Sequence, residues 1–329
     1  MRSSVRVSAS GALVAAFLAG ATGSPASAAA HGAPLRAASA PSRPDGNAPA
    51  RSWFAPGWSQ AIAAGTDVVY LAEYATGTIN IYSTKTKVAP TAPIGQITGL
   101  VQPEGIAVDS HRNLYVAEET NNDVKVFKPG TTTPTRILTG LDAPLSVSVN
   151  RAGTVVVTNY LSDSISVFAK GSLTPTQTLH TPHQNQPDYA AIDDAGDVVI
   201  PCYFGNEYSF DVGEFVAGSD TLTELAVDFG GRPQGVSFDS AGDLLILDRD
   251  AGLQIYPPGQ STASQTLPIF AYEVALTKND AYLYTASNGD FMDRYTYPGG
   301  VFDYQVNDPA QAHYGVATSP AAPLGTWHT

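Results

Sequence analysis

A segment of about fifteen residues recurs along this chain, in its clearest copy as Pro-x-Gly-Ile-Ala-Val-Asp followed by Leu-Tyr-Val-Ala. The copies start at Pro103, Pro144, Pro187 and Pro233, with weaker versions at Ala271 and His313. Successive starts are 41, 43, 46, 38 and 42 residues apart. A repeat of this length is typical of β-propeller blades, which pack against one another because no single repeat can bury its own faces.

Each repeat carries the pattern of four strands. In the copy that starts at Pro103, residues 105–108 and 114–117 flank a turn that opens with Asp109, as expected for a hairpin. Residues 123–127 alternate apolar and polar side chains, and residues 135–138 form a short fourth segment. The sequence therefore predicts an all-β fold, a β-propeller with four-stranded antiparallel blades.

Six segments match the third-strand pattern, which predicts a six-bladed propeller. The predicted blades span residues 58–102, 103–143, 144–186, 187–232, 233–270 and 271–312. Residues 313–320 repeat only the first strand, and residues 58–64 of the first blade fit that strand poorly. We expect the C-terminal segment to supply the missing strand and close the ring. The alternative is a seventh blade, built jointly from this segment and residues 53–57.

The N-terminus has the features of a secretory signal peptide. Arg2 and Arg6 precede an apolar run at 11–20, and small residues follow at 26–28. A membrane anchor is the alternative, but the run is shorter than a membrane span. We predict a signal peptide at 1–28, which makes the protein secreted, and a disordered linker at 29–51. A single propeller domain at 52–323 and a tail at 324–329 follow.

The composition limits the classes of partner. The formal net charge is −13, which disfavours nucleic acid and anionic membranes because both repel an acidic protein. After removal of the signal peptide we expect no membrane span, and we expect a monomer. Cys202 is the sole cysteine, so no internal disulfide is possible. A buried filler is favoured for it over a nucleophile, because no His or Asn motif accompanies it.

The copy of the repeat that starts at Pro103 resembles the repeats of a known family. Its Pro-x-Gly-Ile-Ala-Val-Asp, Leu-Tyr-Val-Ala and Asn-Asn-x-Val-x-Val-Phe-x-Pro-Gly segments resemble the NHL-repeat propellers of exported bacterial proteins, over about residues 58–320. The resemblance implies a propeller of the superfamily that includes the streptogramin-lyase-like proteins. Members of that group bind peptides or proteins, or act as metal-dependent lyases and lactonases. The His and Glu constellation of the lyases has no residue-by-residue match here.

The residues that differ between repeats are predicted to lie on one face. The links between blades and the turns between second and third strands emerge together, on what we call the upper face. Five carboxylates are expected near the channel mouth on this face: Glu73, Glu104, Glu118, Asp188 and Asp248, with Asn159 and Gln234 between them. Oxygen ligands from several strands suit Ca²⁺ or Mg²⁺. The alternative is that they are ordinary polar strand ends facing water.

Aromatic residues and histidines accompany these carboxylates. A ligand-binding rim is predicted from Tyr74, Tyr160, Tyr203 and Tyr272, since tyrosine supplies contact area at low entropic cost. Tyrosine is also simply common in β-structure. His183 and His313 lie in links on the same face and are candidate acids or bases, although such loop histidines often have no role. The aromatic, acidic segment 203–215 is predicted to carry a specialised loop.

Three functional hypotheses follow. The first is a secreted module that binds a small molecule, peptide or protein at the channel mouth, with a divalent cation as a possible component. The second is a metal-dependent lyase or lactonase-type hydrolase that uses the same face. A domain that only stabilises an extracellular assembly is a third possibility. No nucleophile elbow, phosphate loop or dinucleotide fingerprint occurs in the sequence.

Overall fold

The fold is a six-bladed β-propeller, seen in a computed structural model. The structure describes residues 51–181, 187–204, 209–287, 289, 291–308 and 312–328, with only the backbone described at 203, 204, 209 and 210. The predicted signal peptide and nearly all of the predicted linker lie outside these ranges. No helix among the described residues is both long and apolar enough to cross a membrane.

Every blade is a twisted antiparallel sheet of short strands. Blade one contains β1 (Trp53–Phe54), β2 (Val68–Glu73), β3 (Thr78–Ser83) and β4 (Gly95–Thr98), with the helix α1 (Trp58–Ala63) between β1 and β2. Blade two contains β5 (Pro103–Val108), β6 (Leu114–Glu118), β7 (Asp123–Phe127) and β8 (Arg136–Leu138). Blade three contains β9 (Pro144–Val149), β10 (Val155–Asn159), β11 (Ser164–Phe168) and β12 (Gln177–His180).

The second half of the chain repeats the arrangement. Blade four contains β13 (Ala191–Ile192), β14 (Val198–Phe204), β15 (Ser209–Phe215) and β16 (Leu222–Glu224). Blade five contains β17 (Pro233–Phe238), β18 (Leu244–Asp248), β19 (Gly252–Tyr256) and β20 (Gln265–Leu267). Blade six contains β21 (Glu273–Leu276), β22 (Tyr282–Ala286), β23 (Phe291–Thr296) and β24 (Phe302–Asn307), and β25 (His313–Ser319) follows it.

The ring closes through the C-terminal strand. β25 pairs antiparallel with β2, from Val68 opposite Ser319 to Glu73 opposite His313, and becomes the innermost strand of blade one. β1 pairs with β4 at the outer edge of the same sheet. The expected closure is confirmed, and no seventh sheet forms among the described residues. Residues 58–63, which fitted the first-strand pattern poorly, are helical.

The hydrophobic core lies between the blades. Between blades one and two, Ile79 and Ile81 of β3 pack with Leu114 and Val116 of β6, and all four are at most 2% exposed. The second strands β2, β6, β10 and β18 are buried on both faces because neighbouring blades cover both sides of each sheet. Burying side chains of this size contributes roughly 1.5–3 kcal/mol each, so the contacts between blades stabilise the ring.

A repeat glycine sets how closely the inner strands approach. A Cβ at Gly235 would overlap the carbonyl oxygen of Tyr272 in the next blade, and one at Gly315 would overlap the carbonyl oxygen of Glu104. A side chain at either position would push neighbouring inner strands apart. In the blades that carry this glycine, the inner strand can therefore approach the inner strand of the next blade closely.

The tail lies across the lower face, which carries the hairpin turns between first and second strands. The backbone N–H of Gly325 donates to the Asp239 carbonyl (2.8 Å), and the Gly325 carbonyl accepts from the N–H of Asp194 (3.1 Å). The N–H of Trp327 donates to Asp193 Oδ2 (2.9 Å), and its ring is 2% exposed. Residues 324–328, which the sequence division set apart as a tail, thus pack on the propeller.

Candidate functional site

A cavity of about 110 Å³ occupies the centre of the ring. All six inner strands line it, and Ala321, Ala322 and Leu324, which follow β25, border it from below. Most lining side chains are aliphatic, and the charged residue among them is Glu273, at the start of β21. The channel is therefore apolar along its length and acidic at its upper end.

One residue from each blade forms a ring at this upper end, which we call the mouth ring. Strand pairing places these residues at equivalent positions, two before the residue that matches Ile106 of β5. In blade order from one to six they are Tyr314, Glu104, Leu145, Asp188, Gln234 and Tyr272. Glu273, the residue after Tyr272 on β21, adds a third carboxylate, and we include it in the mouth ring. The three carboxylates thus come from alternate blades, which spaces them around the axis.

The pKa values of all three carboxyl groups of the mouth ring are raised. Burial raises the pKa of Glu104 well above its ordinary value, and repulsion from Glu119, Asp188 and Glu273 raises it further. Burial also raises the pKa of Asp188 to about 7. Burial raises the pKa of Glu273 well above normal, although N–H groups of Val316 (2.8 Å) and Ile106 donate to this carboxylate and oppose the shift. The mouth therefore disfavours the ionised form of these carboxyl groups unless a cation lies among them.

A buried phenol points to the same place. Tyr189 is 6% exposed, and its hydroxyl has no hydrogen-bond partner among the described residues. Burial raises the pKa of Tyr189 well above its ordinary value, with further contributions from Glu104, Glu273 and Asp188. Leaving a buried hydroxyl unpaired costs about 1–3 kcal/mol, so this group is a ready donor or acceptor for a ligand.

Three tyrosines form a rim on one side of the mouth. The ring of Tyr314 meets Tyr74 and Tyr272 edge-on, at centroid distances of 5.4 and 5.6 Å. The hydroxyl of Tyr74 donates to Glu119 Oε2 (2.7 Å). Burial raises the pKa of Tyr314 to about 12, with Glu104 contributing next. This rim places aromatic rings directly beside the carboxylates.

The other predicted rim residues contribute less. Tyr160 is half-buried, and its backbone N–H donates to the Ala143 carbonyl (3.1 Å). Gln234 belongs to the mouth ring and is half-buried. The side chain of Tyr203 and residues 205–208 lie outside the described residues, as does His183. The role proposed for the fourth repeat therefore stays a prediction.

Three of the predicted site residues at the ends of second strands hold the scaffold. Glu118 is fully buried, accepts the Val101 N–H and pairs with the Lys125 ammonium. Asn159 Oδ1 accepts the Asp142 N–H (3.1 Å), which ties the incoming link to its blade. Asp248 Oδ1 accepts two N–H groups of its own turn, at 2.7 and 2.8 Å. Neither Glu118 nor Asp248 is among the charges that shift the pKa of Glu104, Asp188 or Glu273.

Glu73 lies in a separate group at the junction of blades six and one. It combines with Asp308, directly after β24, and His313, the first residue of β25, and we call these three the junction triad. One ligand atom from each residue lies within 4.8 Å of the others. Burial raises the pKa of Glu73 to about 8, while the Thr76 hydrogen bond opposes the shift and Asp308 adds to it. A cavity of about 350 Å³ opens beside Glu73 and Asp308.

Cys202 packs as a core residue. It is 5% exposed within an apolar cluster that includes Ile200 and Phe215. Burial raises the pKa of its thiol, so the thiolate needed for nucleophilic chemistry is disfavoured. The geometry agrees with the filler interpretation of this residue.

Fold and mouth together define this chain as a six-bladed propeller with an acidic, tyrosine-rimmed channel entrance. Among solved structures, 1314 chains match it, and one of them comes from a crystal structure of a nidogen/laminin complex. That chain is 17% identical, with a TM-score of 0.61 over 77% of this chain and 98% of its own length. No family model matches the sequence, and no curated protein matches it significantly. These likenesses support the propeller fold, whereas the NHL-like assignment stays a prediction.

Three residues of these sites were missed in the sequence. Glu273 and Tyr189 each lie one residue after the position that matches Glu104, which is Tyr272 in blade six and Asp188 in blade four. The position after Glu104 is a glycine in the clearest copy of the repeat, so it gave no signal of a site. Reading that position in every repeat would have found both residues. Asp308 lies in a link that no repeat position describes, so no signal pointed to it.

Proposed function

We propose that this protein is a secreted binding propeller whose mouth ring captures a primary ammonium group, such as a lysine side chain of a protein or peptide ligand. The observation that carries this proposal is the convergence of Glu104, Asp188 and Glu273 from alternate blades near the buried hydroxyl of Tyr189, which has no hydrogen-bond partner within the described ranges. Secretion rests on the predicted signal peptide at 1–28.

The arrangement of charges supports an ammonium ligand. A lysine ammonium has three donors, and the mouth ring offers three carboxylates on alternate blades, one for each donor. A cation among them relieves the mutual repulsion that acts on Glu104. The tyrosine rim adds ring faces and edges beside the entering group, and cation–π contacts favour a cation there.

The size of the channel supports a ligand that is larger than the ammonium itself. A cavity of about 110 Å³ holds the end of one side chain, and the remainder of the ligand has to lie on the upper face. A lysine can reach in this way because its four-carbon stem is long and apolar, like the channel walls. A Ca²⁺ or Mg²⁺ ion held by the same carboxylates is the alternative occupant.

The experiment compares capped Gly-Gly-X-Gly-Gly peptides in which X is lysine or Nε-acetyl-lysine, by calorimetry at pH 7. We expect the lysine peptide to bind at least tenfold more tightly, a difference of about 1.4 kcal/mol. Glu104→Gln should remove that preference. Glu224→Gln is the matched control, because Glu224 is exposed on an outer strand.

Calorimetry also measures the release of protons on binding. Because burial holds the pKa of Asp188 at about 7, an ammonium that enters the mouth should lower this pKa and release a fraction of a proton at pH 6–7. Buffers of different ionisation enthalpy measure the release. Equal binding of both peptides, or an unchanged preference in Glu104→Gln, would disprove the proposal. Binding of Ca²⁺ or Mg²⁺ that Glu104→Gln abolishes, with no peptide binding, would assign the mouth to a metal instead.

A further inference from the structure

We propose that the junction triad of Glu73, Asp308 and His313 binds one divalent transition-metal cation of the Zn²⁺ type at the point where the propeller ring closes. This site is separate from the mouth ring and does not depend on the ammonium ligand. Three observations carry the proposal: the orientation of the imidazole, the charge of the two carboxylates, and the cavity beside the triad.

The ligand atoms are buried and close together. Glu73, Asp308 and His313 are 3%, 6% and 0% exposed, and one ligand atom from each lies within 4.8 Å of the others. His313 Nε2 and Asp308 Oδ1 are 3.9 Å apart. Metal–nitrogen and metal–oxygen bonds of about 2.0–2.2 Å allow one ion to lie between them.

The imidazole is oriented as a ligand. His313 Nδ1 lies 2.6 Å from the Gly289 carbonyl oxygen, and because a carbonyl cannot donate, Nδ1 carries the proton. In the neutral ring the lone pair is then on Nε2, the atom that faces Asp308. Metal-bound histidines usually donate their second ring N–H to a carbonyl or carboxylate in this way.

The carboxylates are oriented by neutral donors. Thr76 Oγ1 donates to Glu73 Oε2 (2.6 Å), and Tyr82 donates to Asp308 Oδ2 (2.6 Å). Asn80 Nδ2 donates to both carboxylates, at 2.5 Å for Asp308 Oδ2. These bonds hold the side chains in place, but they add no positive charge.

Blade two has a lysine at a position where blade one has a neutral residue. The equivalent carboxylate in blade two is Glu118, and its charge is balanced by Lys125 of β7. Strand pairing makes Asn80 of β3 the counterpart of Lys125, because Asn80 lies opposite Leu71 as Lys125 lies opposite Val116. Blade one therefore has a neutral residue where blade two has the cation, and Asp308 adds a second carboxylate.

No lysine or arginine within the described ranges forms an ion pair with Glu73 or Asp308. Buried carboxylates without a compensating charge are strongly disfavoured. A divalent cation balances the two carboxylates with a neutral imidazole as third ligand. The cavity of about 350 Å³ beside Glu73, Asn80 and Asp308 leaves room for water or a ligand to complete the coordination.

The mixed ligand set selects the kind of ion. Calcium and magnesium take oxygen ligands, whereas zinc and neighbouring first-row metals accept an imidazole nitrogen together with carboxylate oxygens. Three protein ligands with an open position are the usual arrangement of zinc sites that bind a further molecule. We therefore choose Zn²⁺ as the probe and Ca²⁺ as the contrasting ion.

The test is titration of the chelator-treated mature chain with Zn²⁺ and with Ca²⁺, followed by calorimetry and thermal melting. All variants carry His328→Ala, because His328 lies near Asp197 and Glu214 and could hold a second ion. We expect one Zn²⁺ per chain, a melting temperature about 5 °C higher at a hundredfold excess over Kd, and no effect of Ca²⁺. His313→Ala should lower zinc affinity at least a hundredfold, and His111→Ala, on an exposed hairpin, should not.

Asn80→Lys is the decisive variant. It places in blade one the cation that blade two uses, so it should abolish zinc binding and raise the melting temperature of the metal-free chain. Glu104→Gln should keep zinc binding, which separates this site from the mouth. The proposal is overturned if no stoichiometric Zn²⁺ binds, if His313→Ala binds it like the parent, or if Asn80→Lys retains it.

Discussion

Carboxylates lie at both ends of the central channel, but they differ in their hydrogen bonds and in their pKa values. At the lower end, Asp109, Asp193 and Asp239 open the hairpin turns, and each Oδ1 accepts two backbone N–H groups of its own turn at 2.8–2.9 Å. At the upper end, Asp188 and Glu104 have raised pKa values, with burial as the main cause. Local hydrogen bonds thus make an acidic residue part of the scaffold, and their shortage makes it available to a ligand.

The ends also differ in how they are covered. The tail closes the lower end, where Trp327 packs with Val236, Phe238 and Tyr256. At the upper end, a buried tyrosine hydroxyl and three carboxylates face one another with no cation among the described residues. The chain supplies its own cover below and leaves unmatched polar groups above. This asymmetry is the physical reason to look for a partner on the upper face.

The largest expected effect concerns the packing of Trp327 at the lower end of the channel. Trp327→Ala should lower the free energy of unfolding by about 3–5 kcal/mol, because it leaves a large cavity between the tail and blades four and five. Urea denaturation measures the loss. Trp53→Ala is the control, since that ring is 39% exposed and should cost much less. Equal midpoints for Trp327→Ala and the parent would show that the tail does not stabilise the lower end.

A second, smaller effect should appear at the mouth. Because burial raises the folded-state pKa of Asp188 to about 7, the folded chain holds this proton more tightly than the unfolded chain. Its free energy of unfolding should then fall as the pH rises from about 4 to about 7. Asp188→Asn removes the penalty and should raise the melting temperature at pH 8 by roughly 2–6 °C, with little change at pH 4.

Asp228→Asn is the control for this measurement, because Asp228 is exposed and remote from the mouth in sequence. Melting curves of the parent and both variants between pH 4 and pH 8 give the comparison. If Asp188→Asn destabilises the chain at pH 8 as much as at pH 4, the mouth does not hold an electrostatic penalty, and the contrast between the channel ends is lost.

The smallest effect concerns the contact between His328 of the tail and Glu214 of blade four. His328 Nε2 lies 2.8 Å from Glu214 Oε2, and this hydrogen bond raises the pKa of His328 above its ordinary value. The stabilisation is complete below about pH 6.5 and disappears as the pH rises through the raised pKa. Because His328 is half-exposed, His328→Ala should cost only about 0.5 kcal/mol at pH 5.5 and almost nothing at pH 9.

His111→Ala is the matched control, since His111 is exposed on a lower-face turn and its imidazole forms no ion pair with a carboxylate among the described residues. Chemical denaturation at both pH values is sensitive enough for the comparison. A loss for His328→Ala that is independent of pH would mean that the tail is held by packing, with no contribution from the ion pair.

The repeat predicted the propeller well and the sites only in part. Blade number, four antiparallel strands per blade and closure by residues 313–320 all follow from local patterns, and all are confirmed. The repeat also pointed to Glu104 and Asp188, which the structure brings together. It could not separate them from Glu118, because a carboxylate paired with Lys125 looks the same in the sequence as one without a partner.

Strand patterns and turn residues specify the blades because each depends on neighbours within about forty residues. The mouth ring depends on the packing of six inner strands around one axis, which brings Glu273 of blade six close to Glu104 of blade two. The junction triad depends on closure of the ring, which brings Asp308 and Asn80 together across 228 positions. Contacts of that range leave no local trace in the amino-acid order. They arise because the last inner strand completes the first blade.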